Sequence, residues 1–303
     1  MAPAIKIEGI SKKFKKTAAL KGIDLEVEEG MLYGLIGPDG AGKSTLYTIL
    51  TTLVAPDKGR GEIFGLDLRK DSRRIRDIIG YMPQRFSLFP DLSVRENLEF
   101  FASLFGQSVE RNFDMIAPVY SQLARFPRRR AGALSGGMKQ KLALCCALIH
   151  KPRLLLLDEP TTGVDAISRS EFWEILRQLK AGGMSILVST SYMDEAQLCD
   201  RISLIDRGRI LQTGTVPEIL AGHRERIYNV SASEMFPLLE AVREFAGVRD
   251  CYTFGATLHA VVGPEFNPAD AQKALAAKGL KDVEIYPAKG DIEDVFINLM
   301  GNE

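Results

Sequence analysis

The chain has no surplus of either charge: its 39 Lys and Arg are matched by 39 Asp and Glu across 303 residues. A protein that wraps nucleic acid normally carries a basic excess, so no nucleic-acid partner is expected. Long hydrophobic runs are missing as well. The densest, Leu154 to Leu157, falls far short of the roughly 20 residues a spanning helix needs. The opening Met-Ala-Pro-Ala-Ile-Lys-Ile lacks the basic and apolar segments of a signal peptide. The expectation is a soluble chain whose membrane role, if it has one, runs through a partner. Cysteine is scarce: Cys145, Cys146, Cys199 and Cys251 show neither metal-ligand nor disulfide-framework spacing. Cys145 and Cys146 sit in an apolar helical pattern, which suggests buried structural thiols and a reducing compartment. Histidine is scarcer, with only His150, His223 and His259.

What is present is ordinary globular composition, 46% hydrophobic and 26% charged, in a chain long enough for two cores. Ile5 to Glu8 and Gly22 to Glu28 alternate in the manner of strands. Leu32 to Ile36 is a buried strand that runs into a glycine-rich loop and then an apolar-periodic helix, Ser44 to Leu53. Residues 59–66 read as a hairpin strand and 92–150 as mainly helical. Arg153 to Asp158 and Met184 to Ser189 are further buried strands, separated by a helix over 168–180. Arg201 to Leu211 reads as a hairpin turning at Asp206-Arg207-Gly208. Buried strands alternating with helices predict an α/β fold with a mostly parallel sheet covered on both faces. Beyond about Gly222 the order becomes strand, helix, two strands, helix, strand, then a last helix over 291–300. That is a split βαββαβ pattern, α+β and ferredoxin-like. The expected division is therefore 1–222, with a helical part at about 85–150, and 223–303.

The loop Gly37-Pro38-Asp39-Gly40-Ala41-Gly42-Lys43-Ser44-Thr45 matches G-x-x-x-x-G-K-[ST]. Its glycines let successive backbone N–H groups converge on phosphate oxygens, and the following helix aims its positive end at the same point. Lys43 then reaches the β- and γ-phosphates, and Ser44 ligates Mg²⁺. ATP and Mg²⁺ are the expected cofactors. Asp158 and Glu159 close a buried strand at the carboxyl edge of the sheet, where ligands bind. Asp158 is expected in the Mg²⁺ shell and Glu159 beside the attacking water, which points to hydrolysis rather than nucleotide storage.

Leu134-Ser135-Gly136-Gly137-Met138-Lys139-Gln140 resembles the signature loop of ABC-transporter ATPases. The resemblance runs from residue 5 to about 220 and implies an ABC-type P-loop NTPase domain with an antiparallel β subdomain and a helical subdomain. It implies that Ser135, Gly136 and Gly137 cap the γ-phosphate held by a second ATPase domain, in a homodimer or heterodimer. Gln84, in Tyr81-Met-Pro-Gln84, matches the loop glutamine that meets Mg²⁺ and couples to the membrane subunit. Thr162-Gly-Val-Asp165 matches the D-loop. Phe14 occupies the position of the aromatic that stacks on adenine, against the alternative of a core phenylalanine. The tail Asp291-Ile-Glu-Asp-Val-Phe resembles that of bacterial ABC-2-type drug-exporter ATPases. A transmembrane permease partner and a peripheral place on the cytoplasmic membrane face follow from the resemblance. The aromatics Phe86, Leu88, Phe89, Phe100 and Phe101 suit either a groove for a permease helix or a plain core.

Two positions depart from the family. Ser191, in Ser189-Thr-Ser191-Tyr192-Met-Asp-Glu, stands where the family has its switch histidine, and serine is shorter and carries no charge at neutral pH. Asp39 replaces the usual Asn or Ser and is expected near the partner's Asp165, a like-charge approach that opposes closure. These changes predict slow hydrolysis at this chain's own loop. The competing functions are a soluble ABC-type ATPase working on ribosomes or DNA, and a catalytically weak regulatory nucleotide-binding subunit.

Overall fold

The computed structural model describes residues 3–223 and 225–301. Its contacts separate into two units, Met1–Val216 and Pro217–Glu303. The first begins with β1 (Ile5–Phe14) and β2 (Thr17–Val27), an antiparallel hairpin. Then come β3 (Leu32–Ile36), α1 (Lys43–Leu50), β4 (Lys58–Ile63) and β5 (Leu66–Asp67). After α2 (Ser72–Ile78) and β6 (Ile79–Met82), the chain enters the helices α3 (Val94–Leu104), α4 (Phe113–Tyr120) and α5 (Gly136–Leu148). It returns through β7 (Leu154–Asp158), α6 (Ala166–Ala181), β8 (Ser185–Thr190), β9 (Arg201–Asp206) and β10 (Arg209–Gly214); α7 (Val216–Gly222), all but its first residue, belongs to the second unit.

One sheet, β2-β1-β4-β5, is antiparallel; the other runs β10-β9-β3-β8-β7-β6 and is parallel apart from β10. Strands β3, β7 and β8 are buried along their whole length. Alternation within β7 separates two cores. Leu155 and Leu157 join the core of α3, α5 and α6, whereas Leu154 and Leu156 join that of α1, β1 and β2. This period of two is what a strand covered on both faces requires. The register then sets the site: Ile36 pairs with Thr190, Asp158 with Ser189 and Met82 with Leu157. Glycine 37, Glu159, Gln84 and Ser191 all follow these pairs, at one carboxyl edge.

The sequence placed most elements within a few residues. The helices α2 and α7 had not been anticipated, and two differences concern strands. The first strand continues to Phe14 instead of stopping at Glu8, because it pairs along its length with β2. Ile79–Met82 forms an unanticipated parallel edge strand, too short for its pattern to declare itself. No described helix is long and apolar enough to cross a membrane.

The second unit contains β11 (Arg226–Ser231), α8 (Met235–Arg243), β12 (Val248–Phe254), β13 (Thr257–Val262), α9 (Pro268–Ala277), β14 (Glu284–Ala288) and α10 (Ile292–Gly301). Its sheet runs β12-β13-β11-β14 with every pairing antiparallel. Leu238, Val242, Leu258, Ala271 and Leu275 fill the core beneath α8 and α9.

Candidate functional site

The loop between β3 and α1 is shaped by close approach. A Cβ on Gly37 would stand 2.0 Å from the Ile205 carbonyl oxygen, and one on Gly42 would stand 2.7 Å from that of Ala19. Gly42 also has φ of 108°, a conformation other residues rarely adopt. The turn after β9 is tied to the loop, since Gly208 N–H donates to the Ala41 carbonyl at 2.8 Å. Lys43, 3% exposed, folds back to donate from Nζ to the carbonyls of Gly37 at 2.5 Å and Pro38 at 2.9 Å. It also pairs with Glu159 Oε1 at 2.9 Å.

Glu159 itself is 3% exposed and takes φ of 49°, a left-handed strain held by its surroundings. Its N–H donates to the Ser189 hydroxyl oxygen at 3.0 Å. Gln84 Nε2 and the Thr162 hydroxyl both donate to Glu159 Oε2, at 3.1 and 2.9 Å. The Ser189 hydroxyl donates to Asp158 Oδ1 at 2.8 Å, so one serine holds both acids. Burial pushes the Asp158 carboxyl above the ordinary aspartate range, while the hydroxyls of Ser44 and Ser189 pull it back down. A buried acid whose charge is disfavoured in this way is suited to a cation. Among the described residues no three His, Cys, Asp or Glu gather as a metal site on their own.

These groups border a cavity of about 510 Å³ whose wall includes Asp39, Gly40, Gly42, Lys43, Ser44, Thr45, Gln84 and Glu159. Lys21 and Arg207 also reach it and were not anticipated. Their signal is hidden because the hairpin turn at Arg207 meets the loop only through long-range backbone bonds. Ser189 and Thr190 were likewise missed, since a hydroxyl inside a buried strand looks like packing.

The ABC transporter family model matches residues 20–162. The probable multidrug ABC transporter ATP-binding protein YbhF of Escherichia coli (strain K12) is 37% identical over 98% of this chain, which spans 52% of that protein's length. The daunorubicin resistance ATP-binding protein DrrA3 of Streptomyces coeruleorubidus is 34% identical over 99% of this chain and 96% of its own. The chain belongs to the ABC transporter ATP-binding family. The ATP-binding cassette MJ0796, solved as a dimer in a post-hydrolysis state bound to ADP and Pi, has the same fold. It covers 70% of this chain at a TM-score of 0.64 and 26% identity.

Within this ABC subunit the remaining candidates lie away from the cavity wall. Ser135 caps α5, accepting the Met138 N–H at 3.4 Å, and both it and Gly136 are exposed. Gly137 is buried because α5 presses on the first turn of α6: a Cβ there would stand 2.7 Å from Ser168. Asp165 caps α6 through the Ser168 N–H at 3.0 Å, which holds its carboxyl below the usual aspartate range. Phe14 is 47% exposed at the end of β1, which rules out the core alternative. Ser191 is half-buried. Leu88 is core, whereas Phe86, Phe89 and Phe100 are exposed.

Proposed function

We propose that this chain is the ATP-hydrolysing subunit of a membrane exporter, driven by closure of two ATPase domains around nucleotide. The observation that carries this reading is the convergence of Lys43, Gln84, Asp158 and Glu159 at the mouth of the Gly37–Thr45 loop. Gly37, Pro38, Asp39, Gly40, Ala41, Gly42, Lys43, Ser44 and Thr45 bind the phosphates, and Phe14 stacks on the base. The Lys43 ammonium exchanges its Glu159 partner for β- and γ-phosphate oxygens, so its own charge stays paired. Glu159, released from Lys43 but still held by Thr162, then orients the attacking water. Ser44, Gln84 and Asp158 would hold Mg²⁺. When bound, that ion neutralises charge on the β- and γ-oxygens. Ser135, Gly136 and Gly137, exposed at the start of α5, cap the phosphate bound by the second ATPase domain.

The names of the relatives support export, and their cargo differs from one to the next, so selectivity belongs to a permease partner at the cytoplasmic membrane face. The exposed aromatics beside an apolar cavity of about 250 Å³, lined by Leu88, Phe101, Leu104 and Phe105 among others, support docking of a permease helix there. The antiparallel order β12-β13-β11-β14 supports a ferredoxin-like accessory domain over 223–303, following an ATPase domain over 1–222.

The test is Glu159→Gln. Turnover is expected to fall by about 100-fold or more, the scale of a lost general base. ATP binding should persist or tighten, since a carboxylate that competes for Lys43 is gone. Turnover equal to wild type in a folded variant would remove Glu159 from this role.

A further inference from the structure

Glu195 is a buried carboxyl that the nucleotide reading leaves unused. It lies in the helical turn Met193–Leu198, is 2% exposed and borders no part of the phosphate cavity. Burying a carboxyl is costly unless its oxygens are met by donors. Here both hydroxyl donors sit within two residues of a group with a proposed role in hydrolysis. Thr161, just beyond Glu159, donates its hydroxyl to Oε1 at 3.0 Å and Oε2 at 3.3 Å. Thr190, directly before Ser191, donates its hydroxyl to Oε2. Arg169 on α6 brings its guanidinium to 3.9 Å from Oε1 and lies over the Tyr192 ring, 4.7 Å from its centroid.

The bonds at Thr190 have a direction. A hydroxyl has a single proton, and this one points at Glu195. Its lone pair therefore faces the Tyr192 N–H, which donates to it at 3.0 Å. The Thr190 carbonyl meanwhile accepts the Gly37 N–H at 3.2 Å. Without Glu195 the hydroxyl would be at liberty to rotate, and the Tyr192 N–H after Ser191 would lose a fixed acceptor. The same carboxyl fixes the segment after Glu159 through Thr161.

We propose that Glu195 is a positioning residue for ATP hydrolysis, a clasp that holds Glu159–Thr161 and Thr190–Tyr192 in one register against the first glycine of the phosphate loop. The proposal rests on the ATPase reading above. Because Glu195 touches neither the phosphate loop's cavity nor the base site, its loss acts on the chemical step and spares nucleotide binding. Misplacing a reacting group by about 1 Å can slow a reaction on the order of 100-fold, so a fall of about tenfold or more in kcat is expected.

The experiment compares full-length wild type with Glu195→Ala, Thr190→Val, Thr190→Ser and the double variant Glu195→Ala/Thr190→Val. Steady-state ATPase kinetics, binding of a fluorescent ATP analogue and thermal melts are read for each. Glu195→Ala and Thr190→Val should each lower kcat while leaving KM and analogue affinity within about threefold. The double variant should be no slower than Glu195→Ala, because both changes break one chain of bonds. Thr190→Ser, which keeps the hydroxyl, should retain most of the turnover. Thr190→Val keeps the shape of the side chain, so the test stands even where Glu195→Ala folds poorly. Unchanged kcat in folded Thr190→Val, losses that multiply, or weakened binding with intact kcat would each overturn the clasp. Wild type that binds no ATP would overturn the ATPase reading, and the clasp with it.

Discussion

At the residue scale the site is a set of anions and cations waiting to be repartitioned. Lys43 and Glu159 are paired at 2.9 Å and each is 3% exposed. Separating such a buried pair with nothing in exchange would cost about 3–5 kcal/mol. In the proposed function a triphosphate supplies the exchange, which would make binding and readiness for hydrolysis one event. Ser191 bears on the next step. Its position after Thr190 places it at the carboxyl edge of the sheet beside Glu159, but a serine hydroxyl is too short to span what an imidazole spans. Ser191→His should therefore raise kcat, by about tenfold if the imidazole reaches the reacting phosphate. Steady-state assays decide this, and a rate no higher than wild type would show that serine suffices.

At the element scale the β3–loop–α1 unit depends on glycine for unequal reasons. Gly37 has no room for a Cβ, with the Ile205 carbonyl 2.0 Å away, whereas Gly40 has nothing within 4 Å and only a positive φ of 80°. Gly37→Ala should destabilise the domain by about 1–3 kcal/mol or more through forced displacement of backbone. Gly40→Ala should cost only about 1–2 kcal/mol of left-handed strain. Paired chemical denaturation curves measure the difference, and equal midpoints would contradict this view of the loop. The loop and the acids at the end of β7 were legible in the sequence because their chemistry is local: glycines next to a lysine, and acids ending an apolar run. Lys21, Arg207, Ser189 and Glu195 were not, because each gains its part from a partner distant in the chain. The edge strand β6 escaped for a related reason, since its four residues owe their conformation to pairing with β7 and carry little pattern of their own.

At the scale of the whole molecule, the proposed function makes Lys43 and Ser135 two halves of a composite site. Lys43 lies in the cavity wall, while Ser135 stands exposed at the start of α5 and outside that wall. An exposed helix start carrying a hydroxyl and uncommitted backbone N–H groups is suited to an anion brought by another molecule. If two copies meet head to tail, damage to Lys43 in one and to Ser135 in the other leaves one intact composite site per mixed pair. The direct measurement is ATP turnover of Lys43→Ala alone, Ser135→Arg alone, and an equimolar mixture of the two. The account predicts two nearly inactive parents and a mixture that hydrolyses ATP well above their average. A mixture no faster than that average, beside an active wild type, would contradict it.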